Sequence, residues 1–234
     1  MATALQFALS NPTPGMEEEF NQWYGSEHLL HALLVPGVDA GQRFKRIDSH
    51  PLPGGIHDYL MIWEFDDPRY ALEQLAEVKG TDKLPLSPAI DMVTLQPPTM
   101  WLRASARSAA RIATDTSTRK TVVFALFNSV AGAEFAIESH LLQGGLCHIA
   151  DLPGVISADF LTLAEEQIRG NARKFRYGLL IEMADETKAM PLVTSALEAL
   201  PHLDKSKWLA SAFTPIGNRL TAPDVECMVF HRDF

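Results

Sequence analysis

Residues 11–44 read NPTPGMEEEFNQWYGSEHLLHALLVPGVDAGQRF, and the rest of the chain is organised around them. A Pro/Gly turn leads into the acidic run Glu17, Glu18 and Glu19, and Pro36-Gly37 ends the segment, so residues 16–35 are expected to form a helix. At about 100° per residue, Phe20, Trp23, Tyr24, Glu27, Leu30, His31 and Leu34 fall on one face. Glu27 and His31 then share the apolar stripe one turn apart, the spacing at which two side chains meet. His28 lies at the stripe's edge beside Tyr24. A carboxylate bonded to imidazole fixes its tautomer and raises its basicity, which suits a general base near neutral pH. The plainer alternative is a buried pair that only satisfies itself, or a helix turned so that both groups reach water.

The stretch returns later in the chain. Asn11, Gly15, Glu17, Pro36, Gly37 and Val38 recur as Asn128, Gly132, Glu134, Pro153, Gly154 and Val155, all 117 positions on. Around the first copy, residues 4–10 alternate as a strand and residues 39–47 form a second. Residues 57–65 form a third with one aromatic face, His57, Tyr59, Met61, Trp63 and Phe65. Asp66-Asp67-Pro68 starts a helix running to about Lys79, and residues 90–96 supply a fourth strand. Around the second copy, strands are expected at 157–164, 175–183 and 209–216, a helix at 188–200 and a strand-like tail at 225–232. The order βαββαβ is the ferredoxin-like arrangement. The expected class is therefore α+β, with two tandem ferredoxin-like units packed as an intramolecular α/β-barrel pseudo-dimer. Residues 1–98 form the first unit, 99–119 an Ala/Ser/Arg-rich linker, and 120–234 a degenerate second unit with an extra C-terminal strand. Arg103, Arg107 and Arg111 stand at helical spacing in that linker. Under the shift of 117, His31 maps onto His148, but Trp23, Tyr24, Glu27 and His28 become His140, Leu141, Gly144 and Gly145. Two adjacent glycines weaken a helix, so any chemistry is expected in the first half.

The chain has 234 residues, 47% of them hydrophobic, with no apolar run long enough to span a bilayer. Its first residues, MATALQFALS, lack a basic segment and pass straight into strand-like sequence, which argues against a cleaved signal and for a cytoplasmic location. Cys147 and Cys227 are far apart, form no CxxC pattern, and are expected to be buried thiols. A net charge of −9 disfavours nucleic acid and anionic membranes as partners. Glycines are scattered, and no P-loop, dinucleotide fingerprint or nucleophile elbow is present. EHLLH places the histidines of residues 27–31 three apart with the glutamate before both, unlike HExxH. A metal would need a further ligand such as Glu64 or His57, and none is expected.

The pattern NPxPGxExEFNxWYxxxH, followed by PGV and the Arg43-Phe44 pair, resembles the EthD-like branch of the dimeric α/β-barrel superfamily. The resemblance implies two ferredoxin-like sheets packed into a barrel with helices outside and ligands between sheet and helices. Members include cofactor-free polyketide cyclases, lactone isomerases and quinone-forming monooxygenases, and two-repeat relatives include haem proteins. The histidine of the family pattern corresponds to His28 or His31. The site expected from residues and resemblance together has His31 as base, Glu27 orienting it, and His28 or Tyr24 donating to a developing oxyanion. Trp23, Tyr59 and Trp63 form walls, His57 stands at the mouth, and Arg43 holds an acidic substituent. The expected activity is a cofactor-free, lyase- or isomerase-type proton transfer on a small apolar, aromatic or polyketide-like carbonyl compound. Association into a homodimer stays open. The alternatives are a non-catalytic ligand-binding or stress-related barrel, and a haem protein with His148 or His31 as axial ligand.

Overall fold

The computed structural model describes residues 3–48, 52, 55–108 and 119–230. Strands β1 (Ala4–Ser10), β2 (Ala40–Arg46), β3 (Tyr59–Phe65), β4 (Thr99–Arg107), β5 (Thr121–Ser129), β6 (Val155–Leu163), β7 (Tyr177–Met183) and β8 (Leu203–Pro215) pair in the order β3-β1-β4-β6-β7-β5-β8-β2, and β2 returns to β3. Eight antiparallel strands thus close into a barrel and leave no free edge among them. A short β9 (Leu220–Thr221) adds to β2. The first four strands run β4-β1-β3-β2 and the last four β8-β5-β7-β6.

Strand alternation sorts the side chains into layers. Leu5, Phe7 and Leu9 of β1 share one cluster with Phe44, Leu60, Ile62, Phe124 and Phe213, which fills the lumen. Phe7 and Phe124 stack at its centre with ring centroids 4.0 Å apart. The opposite face of the first four strands meets α1 (Glu17–Trp23), α2 (Leu29–Leu33) and α3 (Pro68–Val78). That of the last four meets α4 (Glu134–His140), α5 (Leu146–Ala150) and α6 (Glu186–Glu198). Local signals set these helices. Asp67 and Asp185 cap α3 and α6 by accepting from the backbone N–H of Tyr70 and Lys188 at 3.1 and 3.2 Å. Gly37 and Gly154, at φ +88° and +86°, turn the chain where a Cβ would press on Ala71 or on the Asp185 carbonyl.

One end of the lumen is polar. Arg219 grips Glu64 through two bonds of 2.9 and 2.7 Å. Arg119 lies between Glu64 and Asp159 at 3.9 and 3.7 Å, and its backbone exchanges two bonds with Gln42. Burial pushes the Asp159 carboxyl up despite Arg119.

Three expectations about elements are corrected. The fourth strand is Thr99–Arg107, inside the stretch read as a linker, and it carries Arg103 and Arg107; Arg111 lies outside the described residues. Residues 90–96 instead form a turn in which Asp91 accepts from the Val93 N–H and the Thr94 hydroxyl, and this local bonding outcompetes strand pairing. Of the strand-like tail, residues 225–230 belong to a helix, α7 (Ala222–Phe230), and the remainder lies outside the described residues. Thr221 and Asp224 bond reciprocally at its start, a capping pattern that hydrophobic alternation hides. Both cysteines are exposed rather than buried. No helix among the described residues is long and apolar enough to cross a membrane.

Candidate active site

Between α1 and α2 the helix widens into one π turn, Tyr24–His28, closed by the Leu29 N–H donating to the Tyr24 carbonyl five residues back. The extra residue rotates everything after it. Phe20, Trp23 and Tyr24 face the sheet as the 3.6-residue period requires, but the buried positions then become Leu29, Ala32 and Leu33. His28 takes the inward place read for Glu27, and Ala32 the one read for His31. Glu27 is exposed, Leu34 is 47% exposed and His31 is half-buried, and no hydrogen bond joins Glu27 to His31. The expected acid–imidazole pair therefore does not form. A signal was present: the apolar anchors Tyr24 and Leu29 stand five apart, as do Leu141 and Leu146, where a second π turn, Leu141–Gly145, sits 117 positions later.

The rotated face opens on a cavity of about 80 Å³ between helix and sheet. Trp23, Tyr24, His28 and Ala32 line it from the helix, Gln6, Ala8 and Trp63 from the strands, and Leu75 and Lys79 from α3. Further wall comes from Leu84, Leu86, Ile90, Met92 and Leu95, and from Ile168 and Arg169 of the β6–β7 loop. Gln167 pins that loop: its amide accepts from the Thr99 N–H at 2.9 Å and donates to the Thr99 carbonyl at 2.7 Å. The loop and its importance to the first-half cavity could not be read from the sequence, because it comes from the far half of the chain.

His28 stands in an aromatic box, its ring centroid 4.5 Å from Trp23, 4.9 Å from Tyr24 and 6.2 Å from Trp63. Its Nδ1 and the Trp23 indole nitrogen are buried without a hydrogen-bond partner. Burial, reinforced by the charges of His31, Arg43 and Lys79, lowers the imidazole to about 4, so the ring is neutral at pH 7. Burial likewise pushes the Tyr24 phenol well above its ordinary range, against opposing pulls from Arg43 and Trp63.

Beside the box a polar belt ties α1 to the sheet. Arg43 is buried with its guanidinium over Tyr24 at 4.6 Å, Phe20 at 5.5 Å and Tyr59 at 5.7 Å, and it donates to the Asn21 side chain at 3.0 Å. Asn21 also donates to the Tyr59 hydroxyl, which in turn donates to Glu17 at 2.5 Å. Arg43 and Tyr59 thus support the helix and do not line the cavity. His57 is buried and bonds the Thr94 carbonyl at 2.8 Å, away from the mouth expected for it. Of the expected site residues, Trp23, Tyr24, His28 and Trp63 come together at the cavity, while His31, Glu27, Arg43, His57 and Tyr59 do not line it.

No family model matches the chain, and no curated protein matches it. Solved structures do. An anthrone oxidase-like protein superposes with a TM-score of 0.68 at 11% identity, over 95% of this chain and 96% of its own. A suspected monooxygenase from Fusobacterium nucleatum gives 0.58 at 9% identity, over 94% and 97%, and a chlorite dismutase from Candidatus Nitrospira defluvii gives 0.52 at 10%, over 92% of each chain. The fold is that of the dimeric α/β-barrel proteins. At these identities the likeness concerns the barrel fold alone. A haem does not suit this cavity. His148 is exposed, His31 stands off the cavity wall, and the cavity is well below the roughly 300 Å³ of even modest ligand pockets.

Proposed function

We propose that the chain is a cofactor-independent enzyme that binds a small aromatic carbonyl compound in the His28 cavity and moves a proton on it, a lyase- or isomerase-type step. One observation carries this reading: in a mainly apolar chamber, His28 is neutral near pH 7 and holds a buried ring nitrogen with no partner. An imidazole in that state accepts a proton once a substrate supplies one, and the anion formed beside it raises the imidazole's affinity for the proton it has taken. The Tyr24 hydroxyl, kept protonated by burial, is the donor for a developing oxyanion. The cavity limits the substrate. An apolar cavity of roughly 150 Å³ holds benzene, so a single ring seated here displaces the half-exposed Leu86 at the rim, and fused polyketide-sized rings are disfavoured.

The architecture behind this reading is a tandem pair of ferredoxin-like units acting as an internal pseudo-dimer of the EthD-like kind. Its support is the strand order common to both halves and the paired devices they carry. Asn11 and Asn128 each clamp the start of a strand, and Tyr59 and Tyr177 each bond a carboxylate on the facing helix. A reducing cytoplasm suits the two exposed thiols.

The test is solvent-proton exchange. Wild-type protein is incubated in D2O with a panel of monocyclic aryl ketones that carry an α-C–H, and deuterium uptake at that carbon is followed by NMR. His28→Gln should slow exchange by about two to four powers of ten, with the fold retained by circular dichroism. Equal exchange in the variant refutes the role. A second reading keeps the same deprotonation and lets the carbanion form a C–O bond with dioxygen, the peroxide anion then taking back the proton from His28 to give a hydroperoxide; the unpartnered His28 nitrogen serves this step as well, and oxygen uptake coupled to substrate loss distinguishes it.

A further inference from the structure

The His28 cavity has a feature that proton transfer does not use. Two cations, Lys79 at the end of α3 and Arg169 of the β6–β7 loop, lie on its wall, and no carboxylate does. Neither makes a salt bridge among the described residues, and the Nη1 of Arg169 is buried with no hydrogen-bond partner. The two charges feel each other and the imidazole: burial first and then Arg169 lower Lys79, and Lys79 contributes to lowering His28. Both side chains are half-buried, and two partly desolvated cations with no counter-charge gain when something negative completes the set. The loop is not free to swing Arg169 outward at will, since Gln167, two residues earlier, is locked to Thr99 by bonds of 2.9 and 2.7 Å and to the Ala164 carbonyl at 3.0 Å.

We infer that Lys79 and Arg169 form an anion subsite of this cavity and that the ligand is an aromatic carboxylate, its ring against Trp23 and Trp63 and its carboxylate between the two cations. The inference rests on reading the cavity as a small-molecule site. It also assigns the second half of the chain a part in the first half's site, because Arg169 follows β6. Arg43, the cation expected for this task, is occupied under three rings.

Trp23 and Trp63 report binding directly, so fluorescence titration at pH 7.5 with benzoate and with benzamide, which match in shape and differ in charge, tests the subsite. Charge-assisted pairing predicts that benzoate binds about tenfold or more tightly than benzamide. Lys79→Met and Arg169→Met should each remove much of that preference and the double variant all of it. Equal binding of the two ligands by wild type, or an unchanged ratio in the double variant, overturns the anion subsite and leaves the cavity reading standing. No binding of either ligand overturns the cavity reading itself, and the subsite with it.

Discussion

The burial of His28 makes stability depend on pH with a definite sign. The imidazole ordinarily titrates near 6.5 and is lowered to about 4 in the folded chain. Between those values the unfolded chain binds a proton that the folded chain refuses, so stability is fully present above pH 6.5 and is lost as pH falls toward 4. At about 1.4 kcal/mol per unit, the group withdraws about 2 kcal/mol between pH 7.0 and 4.5. Other groups also act in acid, His57 among them in the same direction through its own burial, so the measurement is a difference. Urea unfolding of wild type and His28→Phe is followed by far-UV circular dichroism at both pH values. The phenylalanine variant should lose about 2 kcal/mol less than wild type on acidification, whatever its stability at pH 7.0. If the two proteins lose stability equally, His28 is not held neutral by the fold, and the case for it as a proton acceptor in this cavity fails.

Glu27→Ala should change stability by less than about 0.5 kcal/mol and leave deuterium exchange and ligand binding at wild-type levels, since the side chain is exposed; a large effect in either assay would restore the acid–imidazole pair. Arg43→Lys should cost about 1–2 kcal/mol in urea unfolding, because an ammonium cannot stack on Tyr24 and Phe20 while reaching Asn21. Gly154→Ala places a Cβ 2.7 Å from the Asp185 carbonyl at a φ of +86°, and a loss of about 2 kcal/mol or more is expected. Arg219→Met leaves the buried Glu64 with Arg119 alone, at 3.9 Å and without a hydrogen bond, and should cost about 2 kcal/mol at pH 7, with a smaller deficit in acid, where the carboxylate that Arg219 and Arg119 hold low against burial becomes protonated.

Much of the architecture is written in local sequence. The offset of 117 between Asn11 and Asn128 reappears as two helices with the same limits and two π turns at the same place. Pro68 and Asp67 mark the start of α3, and the alternation of residues 59–65 places Trp63 against the helices and Ile62 in the lumen. These signals are legible because caps, turns and strand alternation depend on neighbours a few residues away. Where a segment's fate depended on competition, the sequence misled. The Asp91 turn left residues 90–96 with only isolated bridges, Gln96 to Leu9 and Ile90 to Pro12, and the half-polar run Thr99–Arg107 became the strand because β1 and β6 offered it partners on both sides.

The face that borders the cavity lay beyond the sequence for a geometric reason. A single i→i+5 bond adds one residue to a turn, and every later side chain is carried round by about 100°. A uniform helical wheel therefore put Glu27 and His31 on the buried face, which neither occupies, although it placed Trp23 and Tyr24 correctly. The chain alone determined that an imidazole, a phenol and indoles would share a helix and strand in its first half. Tertiary packing decided which imidazole turned inward, and brought Lys79 and Arg169, 90 positions apart, to one wall. Such a meeting depends on barrel closure, in which β4 of one half pairs with β6 of the other, and no local pattern encodes that pairing.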